Sequence, residues 1–469
     1  MRKALIVSLL IICVLSCKKE KSNLNVPPPP PPSISVTVDQ DQPGFKVPST
    51  FEGLSFETQV LTADQAFLNA NNKVVVQLIK NLGPGILRIG GGTSDEVFWS
   101  GNPGIANSSP DTLRKTDIDR LSSFSNAIGW PVIFGLNLGN NDADETLDEA
   151  LYVRSSLGNN LYALQSGNEP DVYDHGMRSP FYDYTAYQGE WESYFSKVRS
   201  EMPGVPFAGP DVAYNASWII SFAENESKNV TLLDGHYYTT GPASNQFITY
   251  HDILSFNFPL NSYLQSIEAE ASSNNLPYRI TESNNVYGGG KAGVSDVFAS
   301  ALWALDVMWT VAQNHGSGIN FHDGDSLHYS PIVNKNGVFS ASPEYYAMLA
   351  FKFASENGTI IPATSSNFPG LCSVYACSKP DNSYTLTLIN KDDKQDYVIN
   401  VQLTKTASSV QIARLSAPSI TSSAGITFAG AAINSDGILS PQKFERHAVN
   451  GKSFYIEVPA ASAVVVTVK

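Results

Sequence analysis

Between residues 51 and 324, eight short apolar runs alternate with stretches of helical length, and this rhythm narrows the fold more than any other feature. The runs are FEGLSFE (51–57), GILRIGG (85–91), PVIFGLNLG (131–139), LYALQSGNEP (161–170), PFAGPD (206–211), LLDGHYY (232–238), PYRITES (277–283) and GINFHDG (318–324). Amphipathic segments such as NKVVVQLIKNLG and VSDVFASALWALDVMWTVAQNHG lie between them. A last one, SPEYYAMLAFKFASENG, has Ser342 as an N-cap and Pro343 at the first helical position. Eight strand–helix units are the count of a (β/α)8 TIM barrel, expected over residues 49–356. The competing α/β arrangement, a doubly wound open sheet, usually has fewer strands, and RIGGGTSD lacks the G-x-G-x-x-G spacing of its phosphate loop.

Beyond residue 357 the pattern changes. YTLTLINK, YVINVQL, SVQIARL, SFYIEV and SAVVVTVK alternate or run β-branched between Gly, Ser, Asp and Asn turns. That predicts a C-terminal antiparallel β-sandwich over 357–469. The early strand SISVTVD, within a segment at 34–48, is expected to pair into this second domain. Cys372 and Cys377, five apart in CSVYAC, would face opposite sides of one strand, so no disulfide is assumed. No Cys/His cluster has the spacing of zinc ligands, and neither a metal nor a cofactor is expected.

The first 17 residues are a targeting segment rather than fold. Arg2 and Lys3 precede an apolar run at 4–15 that is too short to span a bilayer. Val14-Leu15-Ser16-Cys17 resembles a bacterial lipoprotein box, in which Cys17 becomes lipidated; an ordinary cleaved signal is the alternative. Residues 18–33 form a polar tether ending in six prolines, a stiff spacer of roughly 3.1 Å per residue. The expected location is a bacterial cell envelope, lipid-anchored on its periplasmic or outer-membrane surface. A net charge of −14 leaves nothing basic to neutralise phosphates, which excludes nucleic acid and counts against densely sulfated polymers.

In a barrel, reactive side chains come from the carboxyl ends of the strands. Those ends carry Glu57, Arg88, Asn137, Asn168 with Glu169, Asp211, His236 with Tyr238, Glu282, and His322 with Asp323. Glu169 after strand four and Glu282 after strand seven both follow apolar runs, where an unpaired carboxylate is costly. Glycoside hydrolysis needs such a pair: one acid to protonate the leaving oxygen and one carboxylate to attack the anomeric carbon. NNDADETLDEA (140–150) lacks the glycine and spaced glutamate of a calcium loop and reads as acids at a helix start. Trp303 and Trp309 fall at core spacing on a helix, whereas Trp99 is a candidate sugar platform.

Asn-Glu-Pro after strand four with a second Glu after strand seven resembles the clan A glycoside hydrolases, which are retaining. ITESNNVYGGGKAGVSDVFASALWALD (280–306) resembles the nucleophile segment of glycoside hydrolase family 79, the family of β-glucuronidases and heparanase. LRIGGGTSDEVFW (87–99) and SGNEPDVY match its pattern too, and the likeness runs over residues 34–469. The resemblance implies Glu169 as acid/base and Glu282 as nucleophile. It further implies Asn168 on the sugar 2-hydroxyl and Tyr238, on the strand face of His236, holding Glu282 ionised. Tyr287, Gly288, Gly289 and Tyr329 would receive the sugar carboxylate, with Lys291 adding charge, and His236 and His322 are further substrate-binding candidates. The implied activity is a retaining, exo-acting β-glucuronidase on glucuronic-acid-containing glycans. The alternatives are an endo-acting heparanase-like or 4-O-methyl-glucuronate-specific hydrolase, and a non-catalytic surface sugar-binding lipoprotein. Only about 27 residues separate Glu57 from Gly85, too few for the long excised segment of heparanase, which favours the exo reading.

Overall fold

The computed structural model of the protein describes residues 33–42, 44–101, 111–255, 257–324, 327–366 and 369–469. Residues 1–32, which hold the signal, Cys17 and nearly all of the tether, lie outside the described residues. All eight expected barrel strands are present, numbered here one to eight: Glu52–Glu57, Ile86–Gly90, Val132–Leu136, Leu161–Ser166, Ala208–Val212, Leu232–Thr240, Tyr278–Val286 and Ile319–Asp323. They pair in parallel in the order four-three-two-one-eight-seven-six-five. The ring closes where the Leu164 amide donates to the Pro206 carbonyl at 2.9 Å and Leu164 bridges to Phe207. Helices cover the outside, so the strands are buried on both faces; this is why they read as continuous apolar runs rather than alternating ones.

The C-terminal domain is a nine-stranded assembly organised around one long strand, Tyr397–Ser416. Its first half takes Ser33–Val38 as a parallel neighbour. Its second half takes Ser462–Val468 on that edge, antiparallel, and Glu445–Val458 pairs along the other edge. The shift in register between Gln402 and Ser409 bends the strand, so that it serves both layers. The inner faces pack Ile34, Val36, Leu386, Ile399, Val464 and Val466 into an aliphatic core of their own.

The alternate residues of Tyr384–Asn390 and Ser462–Val468, such as Ile389 and Val465, face the barrel instead. There they meet helices Phe298–Gln313 and Pro343–Ser355, each pressed between the barrel and the second domain. A helix covered on most sides is apolar on most of its surface, as Phe298–Gln313 is apart from Asp306, Thr310 and Gln313, with Trp303 and Trp309 both buried. Trp309 stacks on Tyr375 with centroids 5.5 Å apart. Asp306 accepts from Lys391 and from the Tyr375 hydroxyl, each at 2.7 Å, and so rivets the seam. Cys372 and Cys377 are free thiols whose strand turns them to opposite faces.

Candidate active site

The carboxyl ends of the barrel strands open into a cavity of about 940 Å³. Strand four delivers Asn168 and Glu169 to it through a tight turn. Gly167 at φ +81° approaches the Tyr173 hydroxyl so closely that a Cβ there would lie 2.5 Å from it, hence the glycine. Glu169 itself is left-handed, at φ +50°, and its amide donates to the Asp211 carbonyl at 2.8 Å. Pro170 starts a short 3-10 turn, Pro170–His175. Asp95 ties the bend down from below, accepting from the amides of Asn168, Leu138 and Gly139 and from the Tyr173 hydroxyl. Burial raises Asp95 to about 6 even though those four donors pull the other way.

Arg88 lies beneath the cavity, entirely buried under the carboxylates. It donates to Glu282 Oε2 at 2.7 Å, Asp211 Oδ2 at 2.6 Å, Asn168 Oδ1 at 2.8 Å, Ser55 Oγ at 3.0 Å and Gln165 Oε1 at 3.1 Å. A buried ion holds its place only when its whole hydrogen-bonding capacity is met, and here five donors meet five acceptors. Burial alone would lift the pKa of Glu282, but His322, His236 and Arg88 outweigh it and hold the carboxyl well below its usual range. Tyr238 completes its shell, donating to Oε1 at 2.7 Å. His322 Nδ1 stands 3.3 Å from Oε2, close enough for charge attraction but outside hydrogen-bond alignment.

His236 bridges the two halves of the network. Its Nδ1 is 2.9 Å from Glu169 Oε1 and its Nε2 is 2.9 Å from Asp211 Oδ1. Burial disfavours the imidazolium, yet Asp211 and Glu282 outweigh that and push its pKa well above 6.5. Asp211 moves the opposite way: burial raises it, and Arg88 and His236 more than reverse the effect. One oxygen of Glu169, one nitrogen of His236 and one oxygen of Glu282 lie within 4.8 Å of one another. A cation could be held at that spacing, but both imidazole nitrogens are engaged and Glu282 already accepts from Arg88 and Tyr238. The donor set is built for protons rather than for a metal.

Asn168, Glu169, Tyr238, Glu282, His322, Tyr287, Gly288, Gly289 and Tyr329 all line the cavity. Tyr238 lies between Tyr287 and Tyr329, with ring centroids 6.4 and 6.1 Å away. Among the described residues, no acceptor pairs with the amides of Gly288 or Gly289, whose φ values are +84° and +93°. Three sequence expectations need correction. His236 does not line the cavity: it is 0% exposed beneath the carboxylates, so it cannot touch a substrate. Lys291 donates to the Asn245 carbonyl and stays outside the cavity. Trp99 is no platform, because it is buried and its indole donates to Asp148 at 2.7 Å.

Sequence reasoning placed Arg88 and Asp211 at strand ends but gave them no role, although they join the two glutamates. The signal was present: a charged residue inside ILRIG, a strand buried at every position, needs carboxylate partners.

The glycosyl hydrolase family 79 C-terminal beta domain model matches residues 374–465. A β-glucuronidase of Aspergillus niger is 25% identical over 304 residues, covering 56% of this chain and 56% of that protein. A β-glucuronidase of Neurospora crassa is 25% identical over 406 residues, covering 73% and 69%. The chain thus spans little more than half the length of the first relative. Among solved structures, a 4-O-α-L-rhamnosyl-β-D-glucuronidase from Fusarium oxysporum superposes with a TM-score of 0.76 at 19% identity, over 93% of this chain and 100% of that one. At that identity the likeness is one of fold. The family 79 model thus matches within the second domain, and the likeness to the solved structure extends the shared fold over the barrel.

Proposed function

We propose that this chain is a family 79 glycoside hydrolase, a retaining, exo-acting β-glucuronidase that removes β-linked glucuronic acid from glycans. The observation that carries the reading is the carboxylate pair, with oxygens of Glu169 and Glu282 within 4.8 Å across one cavity. Retaining glycosidases hold their two carboxyl groups about 5–5.5 Å apart, whereas inverting ones need about 6.5–9.5 Å to admit a water. In the first step Glu282 attacks the anomeric carbon while Glu169 gives its proton to the departing oxygen. Asn168, its carbonyl fixed by Arg88, presents its amide to the 2-hydroxyl. Water then releases the sugar, and Glu169, freed of the charge on Glu282, takes the water's proton. The 2.9 Å contact with His236, which Asp211 holds on its far side, keeps the Glu169 carboxyl in one orientation through both steps.

The names of the two fungal relatives support a glucuronide as substrate. So does the composition of the cavity lining, which includes Tyr238, Tyr287 and Tyr329 together with Gly288 and Gly289, whose amides pair with no acceptor among the described residues. Oriented N–H groups and phenols suit a carboxylate without demanding a full positive charge. The test compares chromogenic β-D-glucuronide with the β-glucoside and β-xyloside. Hydrolysis of the glucuronide with a β-configured first product is expected. Turnover of the glucoside alone removes the carboxylate assignment, and an α-configured product removes retention. For the N-terminus we propose lipidation at Cys17; Cys17→Ala is expected to move the protein from the membrane to the soluble fraction.

A further inference from the structure

The walls of the cavity differ on the two sides of the carboxylate pair. One side is the tyrosine and glycine wall just described. The other, beside the proton donor, is made by Val172, His175, Ala213 and Tyr214. The leaving group must lie on this side, because the group that protonates its oxygen is there. Tyr214 is 50% exposed, yet it is not a loose side chain. Its ring packs on buried Tyr263 and Tyr237 at 4.8 and 5.3 Å, and its hydroxyl donates to the Pro259 carbonyl at 3.2 Å. The segment that bears it is bound to the Glu169 turn twice, by the Ala213 amide to Asp171 at 2.9 Å and the Glu169 amide to the Asp211 carbonyl.

A clamped, half-exposed aromatic ring beside the departing oxygen offers a flat apolar surface at little entropic cost. Its own hydroxyl is already engaged, so what it presents to a ligand is chiefly the ring. A pyranose matches that surface, with C–H bonds on its faces and hydroxyls at its rim. Among the described residues, no Lys or Arg lines the cavity, so the sugar it suits is uncharged. The geometry points to Tyr214 as the platform of a leaving-group subsite for a neutral pyranose, which makes the natural substrate a glucuronosyl-glycan. This rests on the glucuronidase reading and adds the identity of the departing group.

The experiment compares wild type, Tyr214→Ala and Tyr214→Phe on a neutral β-glucuronosyl-glucose disaccharide and on β-glucuronyl fluoride, whose leaving group is too small to reach the ring. Tyr214→Ala is expected to lower kcat/KM at least tenfold on the disaccharide and less than threefold on the fluoride. Tyr214→Phe, which keeps the ring, is expected to restore the disaccharide rate. Equal losses on both substrates, or no loss on either, overturn the subsite. A wild type inert toward glucuronyl fluoride but active on β-glucosyl fluoride overturns the glucuronidase reading instead. The same variants on a glucosyl disaccharide and glucosyl fluoride then decide for Tyr214.

Discussion

Two arginines are buried completely within the barrel, one at its mouth and one at its floor, and opposite chemistry surrounds them. Arg88, at the mouth, faces Asp211 and Glu282; burial pulls its pKa down, but the two carboxylates more than restore it and raise it above its ordinary value. Arg279, at the floor, has neutral acceptors: Asn320 Oδ1 at 2.6 Å and the carbonyls of Thr50 and Phe51, each at 3.0 Å. Burial pushes it down to about 10. At the floor a charge is dissolved in backbone dipoles and serves to knit strands seven, eight and one. At the mouth the same side chain organises anions that must stay reactive. A buried cation beside carboxylates marks chemistry, whereas one among carbonyls marks architecture.

The largest expected effect tests the mouth. Glu282→Gln keeps the shape and an acceptor for Arg88 but removes the attacking charge, so turnover of every β-glycoside falls by about 10⁴-fold or more. Residual activity near wild type in a steady-state assay would break the assignment. Glu169→Gln comes next, with a loss of about 10²–10⁴-fold on substrates with poor leaving groups. Good leaving groups are spared, and added azide restores turnover with a β-glycosyl azide as product.

The floor offers the contrasting case. Arg279→Met leaves several acceptors unpaired, each costing about 1–3 kcal/mol, so stability in urea falls by several kcal/mol. The folded fraction should nevertheless retain kcat/KM within about threefold. If Arg279→Met abolished activity without a stability loss, the division between floor and mouth would be wrong.

The smallest effect is a pH slope. Burial raises Asp95 to about 6 and Asp323 to about 8, and burial together with the neighbouring Asp211 charge raises Asp234 to about 8, whereas in the unfolded chain such groups ionise near 4. A raised pKa means the fold holds a proton that the unfolded chain has lost. Their stabilising contribution is complete below about pH 4 and fades as pH climbs through 6 and 8. His236 and His322, both raised, add to the decline above about 6.5. Glu282 and Asp211, both lowered, act oppositely, but their window lies below about 4.5. The thermal midpoint should peak between about pH 4.5 and 5.5 and drop toward 8, with Asp234→Asn flattening the slope. A midpoint that rises from 5 to 8 would contradict these shifts.

The barrel was readable because strands covered on both sides leave uninterrupted apolar runs, and Glu169 and Glu282 because each follows such a run. Direction along a strand was readable as well, which is how Tyr238 was placed on the inward face. Depth was not. His236 shares that face yet lies one layer beneath the cavity, a distinction that period-two reasoning cannot make. Arg88 lacked a visible purpose since its partners are 123 and 194 residues away. Trp99 stands out in the sequence because it follows a strand end, but its burial is not legible there, and Tyr214 carries no mark that sets it apart.

The strand Ser33–Val38 has a consequence for how the chain is made. Among the described residues it pairs with Ala363–Ser366 and Tyr397–Ser416, and 325 residues separate Val38 from its partner Ala363. At a synthesis rate of about 5–20 residues per second, roughly 20–60 s pass between the making of this strand and the making of its first partner. Until then its apolar face has no partner, and its docking brings Ser33–Val38 and Ser462–Val468 into one sheet on either side of the long strand's bend.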